Sequence, residues 1–183
     1  MIDLHIEKAR SSDIDAVAAL YDDLNDYLAA NVNYPGWMKG VYPTRNDAEH
    51  FFETDTLYVA WVGGALAGSF ALTFEPEQNP VNGHWLIEAG EDEAFVIHVF
   101  AIHPNFHRHG VGSAMLAFAT DLGRRIGLKS IRLDVFEHNL PAIKAYEKDG
   151  FQYIDTIDLG LGNRGLHWFR LYEKVLAQPE RRD

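Results

Sequence analysis

The sequence predicts one mixed α/β domain over residues 1–177, followed by a polar tail at 178–183. Three observations predict it. The 183 residues are the size of one domain and carry 47% hydrophobic and 23% charged side chains, a composition that builds a core and excludes disordered, collagen-like and low-complexity classes. Runs with a period of two alternate with runs of period near 3.6. A Gly63-Gly64 hairpin signal precedes the central strand and helix, and a pair of β-rich runs follows them.

Leu4, Ile6 and Lys8 alternate with their neighbours and predict a short opening strand. Ser11, Ser12 and Asp13 supply cap chemistry, and Ile14, Val17, Leu20, Tyr21, Leu24 and Leu28 recur at helical spacing, so residues 13–30 should form an amphipathic helix. A loop with aromatics follows, and Thr44 caps a helix ending near Glu53. Leu57–Trp61 and Ala65–Phe74 are the hairpin strands, and residues 75–92 read as a polar, acidic inserted loop. The apolar run from Phe95 to Ile102 has the length of a strand buried on both faces. Val111, Met115, Phe118, Leu122 and Ile126 form a helix closed by Gly127, and Ile131, Leu133 and Val135 the next strand. Asn139, Pro141 and Gly150 bracket a further helix. Phe151–Ile157 and Leu166–Lys174 are the closing strands.

Sixteen Lys and Arg against 27 Asp and Glu leave a net charge of −11, which argues against nucleic acid as a partner, because such binding depends on neutralising phosphates. The absence of Cys excludes disulfides, thiolate metal sites and a cysteine nucleophile. No apolar run approaches the roughly 18 residues of a membrane span and the first residues lack a signal-peptide layout, so no membrane partner and a cytoplasmic location are expected.

The chemistry concentrates where the run to Ile102 meets His103-Pro-Asn-Phe-His107-Arg-His-Gly110-Val-Gly112 and a helix begins. Backbone N–H groups at a helix N-terminus lack partners within the helix and form an anion cradle, although Gly110 and Gly112 could equally serve only a tight turn. A dinucleotide fingerprint fails at its third glycine, where Met115 stands, and a phosphate-binding Gly-Lys-Ser/Thr is absent. His103, His107 and His109 have no carboxylate at ligand spacing, so no metal is expected.

The stretch from Phe100 to Leu116, together with Asn139-Leu-Pro-Ala-Ile-Lys-Ala-Tyr146-Glu-Lys-Asp-Gly150-Phe151, resembles the GCN5-related N-acetyltransferase (GNAT) superfamily. The first segment resembles its Q/R-x-x-G-x-G/A pyrophosphate motif and the second its N-x-x-A-x-x-x-Y-x-x-x-G-F motif. The resemblance implies a mostly antiparallel mixed sheet, splayed between the strands at 95–102 and 130–136 and flanked by helices on both faces. It implies acetyl-CoA as acyl-donor cosubstrate, with the pantetheine arm along Phe100, Ala101 and Ile102. The pyrophosphate would lie on His107, Arg108, His109, Gly110, Val111, Gly112 and Ser113. Asn139 would touch the pantetheine arm, and Tyr146 would protonate the leaving thiolate. One departure is plain: His107 stands where the family has Gln or Arg, leaving a neutral imidazole one donor to offer a phosphate.

The implied activity is transfer of acetyl to a primary amine by direct attack; the alternative is an acyl-CoA-binding module without turnover. The amine, on a small molecule or a peptide, must lose a proton before attack. His98, set in an apolar strand and expected to share a face with Val96 and Phe100, is the candidate base, aided by the acidic edge Glu91-Asp92-Glu93. Asn139 could be only an N-cap and Tyr146 only packing. Tyr34, Trp37 and Glu93 are candidate acceptor contacts, the aromatics equally readable as core plugs, and a homodimer is compatible with the sequence.

Overall fold

A computed structural model describes residues 3–74, 85–90 and 92–176. Much of the inserted loop, including 75–84 and Glu91, and the tail lie outside the described residues. The elements are β1 (Leu4–Lys8), α1 (Ile14–Ala30), α2 (Arg45–Glu53), β2 (Leu57–Val62), β3 (Ala65–Thr73), β4 (Ala94–Ile102), α3 (Val111–Arg125), β5 (Ser130–Phe136), α4 (Leu140–Lys148), β6 (Gln152–Ile157) and β7 (Phe169–Val175). The strands follow the order β1-β2-β3-β4-β5-β7-β6. The β1–β2, β2–β3, β5–β7 and β6–β7 pairs are antiparallel, while β4 and β5 run parallel. The strand at 166–174 begins three residues later than expected. Gly165, at φ 75°, ends a turn that Leu161 and Leu166 close by an isolated bridge, so the ladder starts only at Phe169.

The chain divides into two compact units: residues 1–72 with 98–115, and residues 73–97 with 116–183. In the first, the hairpin turns on Gly63 and Gly64, both at positive φ (55° and 80°), the geometry of a tight turn that matches strand twist. Val17, Leu20, Tyr21 and Leu24 of α1 pack with Val59, Val99 and Ala101 into a core cluster, and Phe51 and Phe52 of α2 close its side. On the opposite face, a Cβ built on Gly68 would lie 2.8 Å from Met115 Sδ and 2.9 Å from the Ala101 carbonyl oxygen. Gly68 is therefore what lets α3 begin directly on the sheet.

In the second unit the parallel register is only three residues long, Ala94–Val96 against Ser130–Arg132, in strands of nine and seven residues. Ile131, Leu133, Leu171 and Tyr172 are buried, with Ile143 and Tyr146 of α4. The Tyr172 hydroxyl donates to Glu147 at 2.9 Å, and Lys174 donates to Asp149 at 2.7 Å and Thr120 at 3.0 Å, so β7 is tied to α4 and α3 by polar as well as apolar contacts.

Candidate functional site

The first unit holds the turn between β4 and α3. Arg108 (φ 64°) and Gly110 (φ 82°) are both left-handed, and alternation of such residues with right-handed ones turns successive N–H groups toward one concavity. Among the described residues, the N–H groups of Arg108, Gly110, Val111, Gly112 and Ser113 have no backbone acceptor, whereas Ala114 N–H donates to Gly110 at 3.0 Å and begins the helical ladder. The turn is solvent-facing, with Arg108, His109, Gly110 and Ser113 exposed. Five unpaired donors at the positive end of a 15-residue helix are an arrangement that suits an anion such as a phosphate group.

The two glycines do different work. Gly110 supplies the left-handed angle and has open space where a Cβ would be. A Cβ on Gly112 would lie 2.8 Å from Ile102 Cδ1 and 3.7 Å from Phe100 Cε1, so this glycine serves the close approach of α3 to β4.

His107 does not point its donor outward. Its Nε2 lies 3.1 Å from the Ile102 carbonyl oxygen, and its ring meets Tyr27 of α1 edge-on at 5.4 Å. His103 accepts from Asn105 N–H at Nδ1 (3.2 Å), and its Nε2 lies 3.3 Å from Asp23 of α1.

Val99 interrupts β4. Its φ of 45° is a left-handed angle on a β-branched side chain, at a cost of about 1–2 kcal/mol, and it breaks the alternation of the strand. His98 and Phe100 therefore do not share a face, which corrects the expectation drawn from alternation. The His98 ring stacks on Phe51 of α2 (5.9 Å between centroids, 19° between planes), while Phe100 packs on Phe70 at 5.9 Å and lies beneath Gly112. Ala101 is buried in the core cluster. In the loop after α1, Trp37 packs edge-on against Tyr42 at 5.7 Å and lies against the same cluster, whereas Tyr34 is exposed. Asn25, buried and polar, donates to the Tyr42 and Pro43 carbonyls at 3.4 and 3.3 Å and pins this loop to α1.

The second unit holds Asn139, Tyr146 and Glu93. Tyr146 is buried on α4, edge-on to Phe151 at 5.8 Å, and burial, reinforced by the Asp134 carboxylate, pushes its phenol above the usual range. Asn139 precedes α4 but its side chain makes no capping hydrogen bond. Pro141 in the first turn has no N–H, so one of the donors a cap would serve is missing. Glu93 accepts from Gly90 N–H at 2.8 Å and Lys129 at 2.5 Å, and these bonds hold its carboxyl below the usual carboxylate range.

Sequence reasoning missed a buried ion pair beside it. Glu173, fully buried in β7, accepts from Arg132 Nε at 2.9 Å and from Leu86 N–H at 2.6 Å. Arg132 also donates to the Ile87 carbonyl at 3.1 Å, and its guanidinium lies 4.3 Å from the Trp85 ring. Residues 85–90 are thereby strapped onto β5 and β7. The available signal was a Glu in the apolar run Phe169–Leu176. Among the described residues no cluster of three metal-ligating side chains occurs, and no helix is long and apolar enough to cross a membrane.

Comparison with known proteins points to one family. The sequence model of the acetyltransferase (GNAT) family matches residues 17–151. An uncharacterised N-acetyltransferase of Methanocaldococcus jannaschii is 24% identical over 84% of the chain and 64% of its own length. A mycothiol acetyltransferase of Geodermatophilus obscurus is 30% identical over 57% of the chain and 31% of its own length. The chain thus spans less than two thirds of these curated relatives. An acetyltransferase of the GNAT family from Streptococcus agalactiae superposes with a TM-score of 0.74 at 20% identity, covering 97% of this chain and 99% of that one. A Salmonella typhimurium protein solved with its cofactor acetyl-CoA superposes with a TM-score of 0.67 at 17% identity, covering 98% of each chain.

Proposed function

The chain belongs to the acetyltransferase (GNAT) family, and from that premise we propose that it transfers the acetyl group of acetyl-CoA to a primary amine by direct attack. The observation that carries this reading is the turn at 108–113, whose five unpaired N–H groups fit a pyrophosphate without any side-chain cation. Acetyl-CoA supplies the activated thioester. The β4 backbone around Phe100, Ala101 and Ile102 would hold the pantetheine amides as an added strand, and a backbone N–H there would polarise the acetyl carbonyl. Asn139, whose side chain makes no capping bond, would touch the pantetheine arm.

In the transfer, the C–N bond to the acceptor forms and the C–S bond breaks. The amine proton passes to a base, for which His98 is the candidate, and the leaving sulfur takes its proton from Tyr146. A phenol already carries its proton at neutral pH, and burial pushes the Tyr146 value further up. Tyr34, which is exposed, and Trp37 remain the candidate acceptor contacts, and the chain offers no cysteine for an acyl-enzyme. The test is thermal denaturation with CoA, acetyl-CoA or NAD: the first two raise Tm and NAD does not. No shift at millimolar CoA removes the reading.

A further inference from the structure

We propose that His107 is a positioning residue that shapes the cofactor cradle from beneath, as a clasp on β4, and is not itself a phosphate ligand. This rests on the acetyl-CoA reading above and concerns the one motif position where the chain departs from the family pattern. A carbonyl oxygen only accepts hydrogen bonds, so the 3.1 Å contact to Ile102 requires the proton to sit on Nε2. In the neutral ring Nδ1 is then an acceptor. Phosphate oxygens at neutral pH are acceptors too, so neutral His107 has no donor left for them: its single N–H is spent on the end of β4.

That bond spans Ile102 to His107 and closes the turn from within. Tyr27 wedges the ring from α1 at 5.4 Å, and a second tie from α1 runs from Asp23 to His103, whose other nitrogen accepts from Asn105 N–H. The titratable and charged groups around the ring are Tyr27 and, through His103, Asp23 on α1, with Arg108 and His109 on its own turn. With residues 103–107 held in this way, Arg108 and Gly110 take the left-handed angles that converge the five amides. A second proton would go to Nδ1 and leave the Nε2 donor on Ile102, so the clasp itself is made in either form of the ring.

The test compares wild type with His107→Phe, which keeps the ring against Tyr27 and removes the N–H. Amide hydrogen exchange is followed at 103–113 in the ligand-free protein, and CoA binding by calorimetry from pH 5.5 to 8. The clasp predicts faster exchange in the free turn and a CoA affinity weaker by about 3- to 10-fold, the worth of one hydrogen bond, with the same ratio at every pH. Tyr27→Leu, which removes the wedge at a distance from the cradle, shifts both readouts in the same direction, so the test does not depend on one variant folding. Unchanged exchange, or a wild-type-to-variant ratio that grows as the pH falls, overturns the clasp while leaving the acetyl-CoA reading standing. Wild type that does not bind CoA overturns both.

Discussion

Replacing Gly110 and Gly112 by Ala separates the backbone geometry of the cradle from the packing beneath it. A Cβ on Gly110 meets nothing within 4 Å, so the cost is conformational: a φ of 82° is left-handed, which a residue with a Cβ holds at about 1–2 kcal/mol. That energy is a factor of about 5–30 against the angle that converges the amides. If only that form binds, Gly110→Ala raises the Kd for CoA by the same factor. Gly112→Ala collides instead with Ile102 Cδ1 at 2.8 Å, the far end of a flexible side chain that can turn aside. It leaves CoA affinity within about threefold and takes its cost from stability, as an overpacked core site does. Calorimetric CoA titration and chemical denaturation of both variants give the four numbers. Gly110→Ala binding like wild type while Gly112→Ala loses tenfold or more would refute this division of labour.

Glu173→Leu strands the buried Arg132 guanidinium and the Leu86 N–H, and should cost about 3–5 kcal/mol, or roughly 6–20 °C in Tm, with Arg132→Met/Glu173→Leu recovering most of it in a double-mutant cycle. Tyr146→Phe should lower kcat by about 10²- to 10⁴-fold with little change in CoA affinity; equal turnover would leave Tyr146 a packing residue. Tyr21 and Tyr146 are both pushed above the usual value of 10.0 by burial, so the native state holds protons the unfolded state releases. Their contribution is fully present below pH 10 and lost as the pH rises through the native values, so stability should fall above pH 10, and less steeply in Tyr21→Phe.

Periodicity carried most of the fold because each buried stripe repeats in the sequence: Val111 and Met115 of α3 and the alternating residues of β5 could be read directly. The Gly63-Gly64 turn was legible because its backbone angles demand glycine. Phe95–Ile102 was legible as a strand but not as a broken one. Val99 is an unfavourable residue for φ 45°, held there by the fold around it, so local propensity pointed the wrong way and placed His98 beside Phe100. The order of residues 100–112 suggested a turn with free N–H groups, but which glycine bends and which one packs depends on Ile102 across the turn, a contact no spacing rule encodes. His107 shows the same limit, since its donor is consumed by a carbonyl five residues back. The Arg132–Glu173 pair joins residues 41 apart, and only tertiary structure brings them together.

The central claim is direct acetyl transfer, and it is tested by mixing the protein with acetyl-CoA and a panel of amines, free N-terminal peptides and aminoglycosides, following thiol release and the masses of acceptor and protein together. Direct transfer predicts that at least one amine gains a single acetyl group mole for mole with the CoA released, by sequential kinetics, and that the protein mass stays unchanged after acetyl-CoA alone. A stoichiometric acetyl adduct on the protein that passes to the amine, or CoA binding with no transfer to any amine in the panel, contradicts it.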